Sequence, residues 1–453
     1  MSVEGLKASV DKMEAEGIPQ AAIDTFRHYY EQLQSGETGM LPEDSIEPVE
    51  DVVEFDELPV EDGPLDRAVV LKLNGGLGTS MGMTQAKSLI EAKDGLAFLD
   101  IVARQVQALR ERAGAPVPLV LMNSFYTRED SLAKLAEHPE LESPVPADFV
   151  QHKEPKLRVD DLTPVEWPDD PAQEWCPPGH GDLYTALLTS GMLDALLDAG
   201  YRWAFISNSD NLAAVLEPRV LAWIAREEIP FVMEVTDRTE ADRKGGHIAR
   251  RGDRFLLRET AQTPEEDLDA LQDISRHRYV NTNNLWVDLE ALKATMAERD
   301  GVLGLPLIVN KKTVDPGDKS TPEVFQLETA MGAAIGVFEG ARPLRVPRSR
   351  FSPVKSTEDL LGLRSDAYVL TDDARVELDP RRDNKPPIID LDDEHYKRLR
   401  DFEQHFPEGA PSLVECERLA LEGPVTFGRD VVVRGSVRLE GPHTVPDGEV
   451  LSG

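Results

Sequence analysis

From about residue 66 the chain returns again and again to short apolar runs. They read AVVLKL (68–73), VPLVLM (117–122), RWAFIS (202–207), PFVMEVT (230–236), NNLWVDL (283–289) and PLRVP (343–347). Each has strand length and is nearly continuous in apolar residues, the pattern of strands covered on both faces. Between several of them lie helix-periodic stretches such as AFLDIVARQVQALRERAG (97–114) and DLYTALLTSGMLDALLDAG (182–200). Strands alternating with helices predict an α/β domain on a mixed, mostly parallel, Rossmann-like sheet. Such sheets take ligands beyond the carboxyl ends of their strands, so the segments just after the runs are where chemistry is sought.

The flanks differ. Residues 3–35 carry apolar residues near helical spacing. The acidic, proline-bearing stretch 41–64 reads as an extended connector. The last seventy residues differ again: VTFGRDVVVRGSVRLEGPHTVPDGEVL (425–451) shows short alternating β pieces broken at glycine or aspartate, and helical pattern is absent from the region. It resembles two or three coils of a short left-handed β-helix. The expected organisation is an N-terminal helical segment and linker (1–55), a catalytic domain (56–364) and a C-terminal β-helix-like domain (365–453).

Composition narrows the partners. With 84 acids against 49 bases the net charge is −35, which argues against nucleic acid, whose phosphates need a basic footprint. In so acidic a chain, cations placed beside a loop carry information. Cys176 and Cys416 stand too far from any CxxC or CxxH pattern for zinc, and two cysteines make no disulfide framework. No run of eighteen apolar residues occurs and the first residues lack a signal-peptide core. A cytoplasmic protein is the expectation.

AVVLKL runs directly into NGGLGTSMG, and Lys87 follows five residues after Gly82. Glycines at such spacing let a ligand approach the backbone where Cβ atoms would block it, and successive N–H groups can cradle an anion. The spacing is neither GxxxxGK[ST] nor GxGxxG opening a helix, which disfavours a Walker loop and a dinucleotide site. A lysine at position 87 can reach back to phosphates held by the loop.

LKLNGGLGTSMGMTQAKSLIE (71–91) resembles the signature of the eukaryotic-type UTP–glucose-1-phosphate uridylyltransferases, also called UDP-glucose pyrophosphorylases. The family usually has Gly-Pro before the lysine; here Gln85 and Ala86 stand there. Similarity continues through PEDSI (42–46), PLVLMNSFYT (118–127), FVQHKEPKL (149–157), WCPPGHGDLYTALLTSG (175–191), RWAFISNSDNL (202–212), RETAQ (258–262), VNTNNLW (280–286), FQLETAMGAAI (325–335) and VPRSRFSPVKSTEDL (346–360). The resemblance implies a GT-A-like nucleotidyltransferase sheet and synthesis of UDP-glucose and pyrophosphate from UTP and glucose 1-phosphate.

It also implies roles. Lys87 and Lys355 become the phosphate-binding catalytic lysines. Leu73, Asn74, Gly75, Gly76, Gly78, Met122, Gln151, Gly179, Asn208, Ser209 and Asp210 fall on the nucleotide, with Gln151 reading the uracil edge. His180, Glu259, Asn281 and Asn283 fall on the sugar phosphate. Lys153 and Lys156 stand where the family tends to have arginines.

Some roles are also readable from the residues alone. A carboxylate at a strand's carboxyl end, as Asp210 is, can hold Mg²⁺ together with substrate phosphates. The His180 imidazole, in a Gly-His-Gly turn at a helix start, can donate to a sugar hydroxyl or phosphate. Asp182 is expected to cap the helix that follows. Two rivals remain at this point: an enzyme for another sugar 1-phosphate, and a non-catalytic nucleotide-sugar sensor. N-acetylglucosamine relatives carry a GTR-LG loop where this chain has Thr79, Ser80 and Met81. A sensor would be expected to lose a phosphate lysine or the aspartate, and all three are present. Self-association through the C-terminal β region is a further expectation.

Overall fold

A computed structural model describes residues 3–78, 81–83 and 85–453. All six apolar runs become strands of one large sheet. Its strands in chain order are β1 (Glu47–Pro48), β2 (Val53–Glu54), β3 (Ala68–Asn74), β4 (Leu119–Asn123), β5 (Asp148–Val150), β6 (Trp203–Asn208), β7 (Phe231–Asp237), β8 (His247–Arg251), β9 (Arg254–Arg258), β10 (Tyr279–Asp288) and β11 (Arg342–Arg345). Across the sheet the order is β2-β11-β7-β10-β6-β3-β4-β5. Every neighbouring pair on this path is parallel except those of β10, which runs antiparallel to both β6 and β7. The β8–β9 hairpin precedes β10 in the chain, and its first strand also pairs antiparallel with β10.

The side-chain alternation of the strands sorts apolar residues onto two faces. Val70, Phe205, Val232, Trp286 and Leu344 enter one core cluster. Val69, Leu71, Ala204, Ile206, Phe231 and Leu285 enter the other. Helices cover both: α3 (Phe98–Ala113) and α6 (Pro218–Glu227) pack into the first, α4 (Leu183–Thr189), α5 (Met192–Asp198) and α7 (Leu289–Glu298) into the second. Proline at the first turn and apolar residues at 220, 221, 223 and 224 make α6 a one-sided helix. Among the described residues no helix is long and apolar enough to cross a membrane.

The N-terminal stretch forms α1 (Val3–Ala15) and α2 (Gln20–Ser35), a hairpin that buries Phe26, Tyr29 and Tyr30 against Leu157, Leu307 and Leu327. The acidic connector is extended, as its composition predicts, and it joins the sheet: β1 pairs with β8 and β2 with β11. At the other end, β12 (Ile388–Leu391), β13 (Ser412–Glu422), β14 (Val432–Glu440) and β15 (Val450–Ser452) stack in parallel. Their interior, with Leu419, Phe427 and Val433, is continuous with the first core cluster. One expectation needs correcting: the last seventy residues are not free of helix, since Asp393–Tyr396 and α8 (Leu399–His405) lie between β12 and β13. Tyr396, Phe402 and Phe406 bury there against the coils, Phe406 stacking on Phe427 at 5.1 Å.

Candidate active site

The glycine loop leaves the carboxyl end of β3, between β6 and β4. Its neighbours are therefore the ends of three adjacent parallel strands. Asn74 turns inward and donates to Asn123 Oδ1 (2.8 Å) and Ser131 Oγ (2.7 Å), and Met122 is buried in the core. A Cβ on Gly75 would sit 2.5 Å from Gln151 Oε1, whereas Gly76 faces open space. Ser124 Oγ ties down the Gly75 carbonyl (3.1 Å), and Gln151 N–H hangs on Asn123 O (2.8 Å). Gln151 thus lies directly against the loop, although it stands far from it in sequence. Gly78 takes a φ of +62°, which a side chain would resist. Thr79 and Ser80 lie outside the described residues.

Lys87 is aimed by backbone. Its N–H donates to Gly76 O (3.1 Å), and Ala86 holds φ at −57°, within the range a proline ring would impose. The missing proline therefore leaves the lysine presented from a proline-like angle. Lys87 Nζ donates to Asp210 Oδ2 (2.7 Å) and to Val354 O. Asp210 stands in the turn after β6, beside Asn208 and Ser209; Ser209 N–H reaches Leu73 O at 3.1 Å. Among the described residues the other Asp210 oxygen, Oδ1, is buried without a hydrogen-bond partner. Val354 N–H in turn donates to Asp210 O (3.1 Å), which sets Lys355 next to the same turn.

From Lys355 the candidate site continues to Glu259, Asn281 and Asn283, which the resemblance assigns to the sugar phosphate. Burial raises the Glu259 carboxyl above the usual carboxylate range, and the Lys355 charge opposes that rise. The Glu259 carboxylate lies where a Cβ on Gly246 would be, 2.4 Å from Oε2. Asn281 N–H donates to Gly246 O (3.0 Å), and Asn281 Nδ2 to Asn283 Oδ1 (2.8 Å). Asn283 itself has φ +58° at the bulge of β10. Gly332 leaves room for Asn281 Nδ2, and the preceding Met331 N–H donates to His180 Nδ1 (3.0 Å). With Nδ1 accepting, the neutral ring carries its proton on Nε2 and can donate from there. Burial pushes the His180 pKa down to about 4, which keeps that form at neutral pH.

Gly179 has φ +78°, and a Cβ there would meet Thr329 O at 2.6 Å. Asp182 corrects an expectation: it accepts no hydrogen bond from the helix it precedes. Both of its oxygens go to His152, from the backbone N–H (2.6 Å) and from Nδ1 (2.8 Å). That closes the ring, since His152 follows Gln151. Lys153 and Lys156 are spent elsewhere, on Glu16 Oε1 (2.6 Å) and Val314 O (2.8 Å).

The same fold and signature occur in known proteins. The family model described as UTP–glucose-1-phosphate uridylyltransferase matches residues 23–434. This chain belongs to the UTP–glucose-1-phosphate uridylyltransferase family. A uridylyltransferase of Solanum tuberosum is 41% identical over 414 residues, 88% of this chain and 85% of that one. The Saccharomyces cerevisiae protein is 40% identical over 85% of this chain and 77% of its own length. Among solved structures, the open and closed forms of UDP-glucose pyrophosphorylase from Leishmania major match with a TM-score of 0.94 at 45% identity, covering 100% of this chain and 99% of that one. A mutant of the Leishmania enzyme solved with UDP-glucose matches with the same score and identity, over 100% and 98%.

Several residues around this candidate site were not read from the sequence. His152, Gly246, Gly332 and Ser124 act through contacts made far along the chain. Lys72 is fully buried beneath the loop, donating to Ser207 Oγ and Ala214 O (both 2.8 Å), with burial pulling its pKa to about 7. Glu234 is fully buried in β7. A lone lysine in AVVLKL and a lone glutamate in PFVMEVT were the available signals, because a charge inside a buried strand needs a partner.

Proposed function

We propose that this chain transfers the uridylyl group of UTP to glucose 1-phosphate, making UDP-glucose and pyrophosphate. The observation that carries the reading is Lys87 meeting Asp210 in front of Gly75 and Gly76 in a uridylyltransferase-family chain. In the reaction a phosphate oxygen of glucose 1-phosphate attacks the α-phosphorus of UTP in line. The new P–O bond forms as the bond to the β-phosphate breaks, and pyrophosphate carries off the electron pair. The attacking oxygen is already anionic at pH 7, so no side-chain nucleophile or general base is required, and the step is reversible.

What the protein supplies is placement and charge. The uridine lies along Gly75 and Gly76 with Gln151 at its base edge, where an amide complements part of a carbonyl–NH–carbonyl pattern. Gly179, with its cleared Cβ position, lets the backbone close in. Glu259, Asn281 and Asn283 face the glucose hydroxyls, and His180 Nε2–H donates to the sugar phosphate. Lys87 and Lys355 neutralise the phosphates as charge spreads over the attacking and departing groups.

Magnesium fits this donor set. Mg²⁺ is commonly held by one or two carboxylates together with substrate phosphates, and Asp210 Oδ1 is a buried carboxylate oxygen with no partner among the described residues. When bound, the ion would supply Lewis-acid neutralisation of phosphate charge beside Lys87.

The reading places the enzyme in the cytoplasm, where Cys176 and Cys416 stay reduced; both are free and buried, and burial raises the Cys416 thiol to about 11. Self-association through the C-terminal coils belongs to the same proposal, supported by the exposed Val450 on the outer strand β15. The test of function is pyrophosphate release from UTP and Mg²⁺ with and without glucose 1-phosphate, other sugar phosphates and nucleotides in parallel. Release that requires glucose 1-phosphate and prefers UTP is expected. UTP binding without release from any pair would replace the enzyme by a sensor.

A further inference from the structure

The groups assigned to the phosphates come from three separate segments: the loop after β3, the turn after β6 and the segment after β11. What holds the three in register lies beneath the cleft. Glu234 sits in β7 where the register with β10 shifts between Met233 and Val235, and it is fully buried. Its Oε1 accepts from Arg350 Nη2 (2.7 Å) and Trp286 Nε1 (3.0 Å). Its Oε2 accepts from Arg350 Nε (2.9 Å) and Asn284 Nδ2 (3.0 Å). The carboxylate therefore grips the guanidinium with two parallel bonds and is itself held by two donors.

Arg350 then organises the backbone around it. Its Nη2 also reaches Val215 O (3.0 Å), and its carbonyl accepts from Asn211 Nδ2 and Asn284 Nδ2 (both 3.3 Å). Asn211 Oδ1 accepts from Ser352 N–H (3.1 Å), and Asn211 forms an isolated bridge with Pro353. One residue on, Val354 is bonded through its N–H to Asp210 O and through its carbonyl to Lys87 Nζ. Residues 350–354 are thus stitched to the Asp210–Asn211 turn and hung on Glu234, and Lys355 is the next residue. Glu234 is fully buried and Arg350 nearly so. A buried ion pair adds little stability over apolar residues of equal size, but a bidentate one imposes direction.

We propose that the buried Glu234–Arg350 pair is the positioning device of this active site, holding residues 350–355 against the Asp210 turn so that Lys355 and the Lys87–Asp210 pair address the same phosphates. This rests on the uridylyltransferase reading. Both are positioning residues, since they act through Val354, Asn211 and Lys355.

The experiment compares Arg350→Lys, which keeps the charge but loses the fork, with the double variant Glu234→Gln/Arg350→Met. The double variant removes both charges and keeps an amide oxygen in β7 to accept from Trp286 Nε1, so it is the one expected to fold well. Measured are kcat for UDP-glucose formation, equilibrium binding of UMP, and Tm. In both variants kcat is expected to fall about 10²-fold, as for a misplacement of order 1 Å, with UMP binding unchanged. In the double variant Tm returns toward wild type while kcat stays low. Recovery of kcat together with Tm would overturn the proposal, as would a parallel loss of UMP binding and turnover. If Arg350→Lys does not fold, the double variant decides alone. Absence of product from the wild-type enzyme would sink the parent reading; wild-type product with full-rate variants sinks only this one.

Discussion

Replacing Lys87 by alanine separates charge for catalysis from charge for folding. Lys87 Nζ makes two hydrogen bonds, to Asp210 Oδ2 and Val354 O, and the pair is partly open, with side-chain exposures of 14% and 21%. Breaking a fully buried ion pair costs about 3–5 kcal/mol. With this much solvent access the loss here is about 1–3 kcal/mol, the range for a charged hydrogen bond. Unfolding entropy near 2.1 cal/mol/K per residue makes the melting entropy of 453 residues about 1 kcal/mol/K, so Tm falls by only about 1–3 °C. Catalysis loses a donor aimed at charge that develops in transfer, about 3–4 kcal/mol or 10²–10³ in kcat. The assay is UDP-glucose formation at saturating UTP and glucose 1-phosphate, beside a melting curve of the same protein. A kcat within a few-fold of wild type, whatever the Tm, would refute the assignment of Lys87 to the phosphates.

Three further outcomes are expected. His180 has its folded pKa depressed to about 4, below the ordinary imidazole value near 6.5. The unfolded chain therefore binds more protons between these values, so the stability His180 contributes is present above about pH 6.5 and lost as pH falls toward 4. Melting temperatures should drop less over that window in His180→Gln than in wild type; an identical drop would mean the ring is not held neutral by burial. Gly179→Ala must carry φ +78° and a Cβ 2.6 Å from Thr329 O. It should lower stability by about 1–3 kcal/mol and raise the KM for UTP, and an unchanged Tm and KM would show the loop can yield. Chelation of divalent ions should abolish turnover and added Mg²⁺ restore it. Asp210→Asn should weaken Mg²⁺ activation in titrations of rate against metal; full rates in chelator would remove the ion from the reading.

The signals that could be read along the chain are local ones. A strand covered on both faces must be apolar along its length, so β3, β4, β6, β7, β10 and β11 announce themselves. The glycine loop is legible because glycines so closely spaced mark backbone that side chains would obstruct, as a Cβ on Gly75 would meet Gln151 Oε1, and Lys87 because it stands in the same stretch. Coupled with the resemblance over nearly the whole length, that was enough for fold class and reaction. The short helices at 393–405 are not legible in the sequence because their apolar residues Tyr396, Phe402 and Phe406 are covered, in the fold, by one another and by Phe427 in the coils.

What the chain's order of residues could not contain is who meets whom. Strand direction is not a property of a strand's own residues, so the antiparallel course of β10 against β6 and β7 is visible only in the folded sheet. Asp182 has the composition of a helix cap, yet His152, 30 positions away, offers both a backbone N–H and a ring nitrogen and takes the carboxylate. Gln151 comes to rest on Gly75, and Arg350 on Glu234 across 116 positions. A hydrogen bond or a bidentate ion pair needs its partners within about 3 Å and aligned, and only the packed sheet brings such distant residues to that distance.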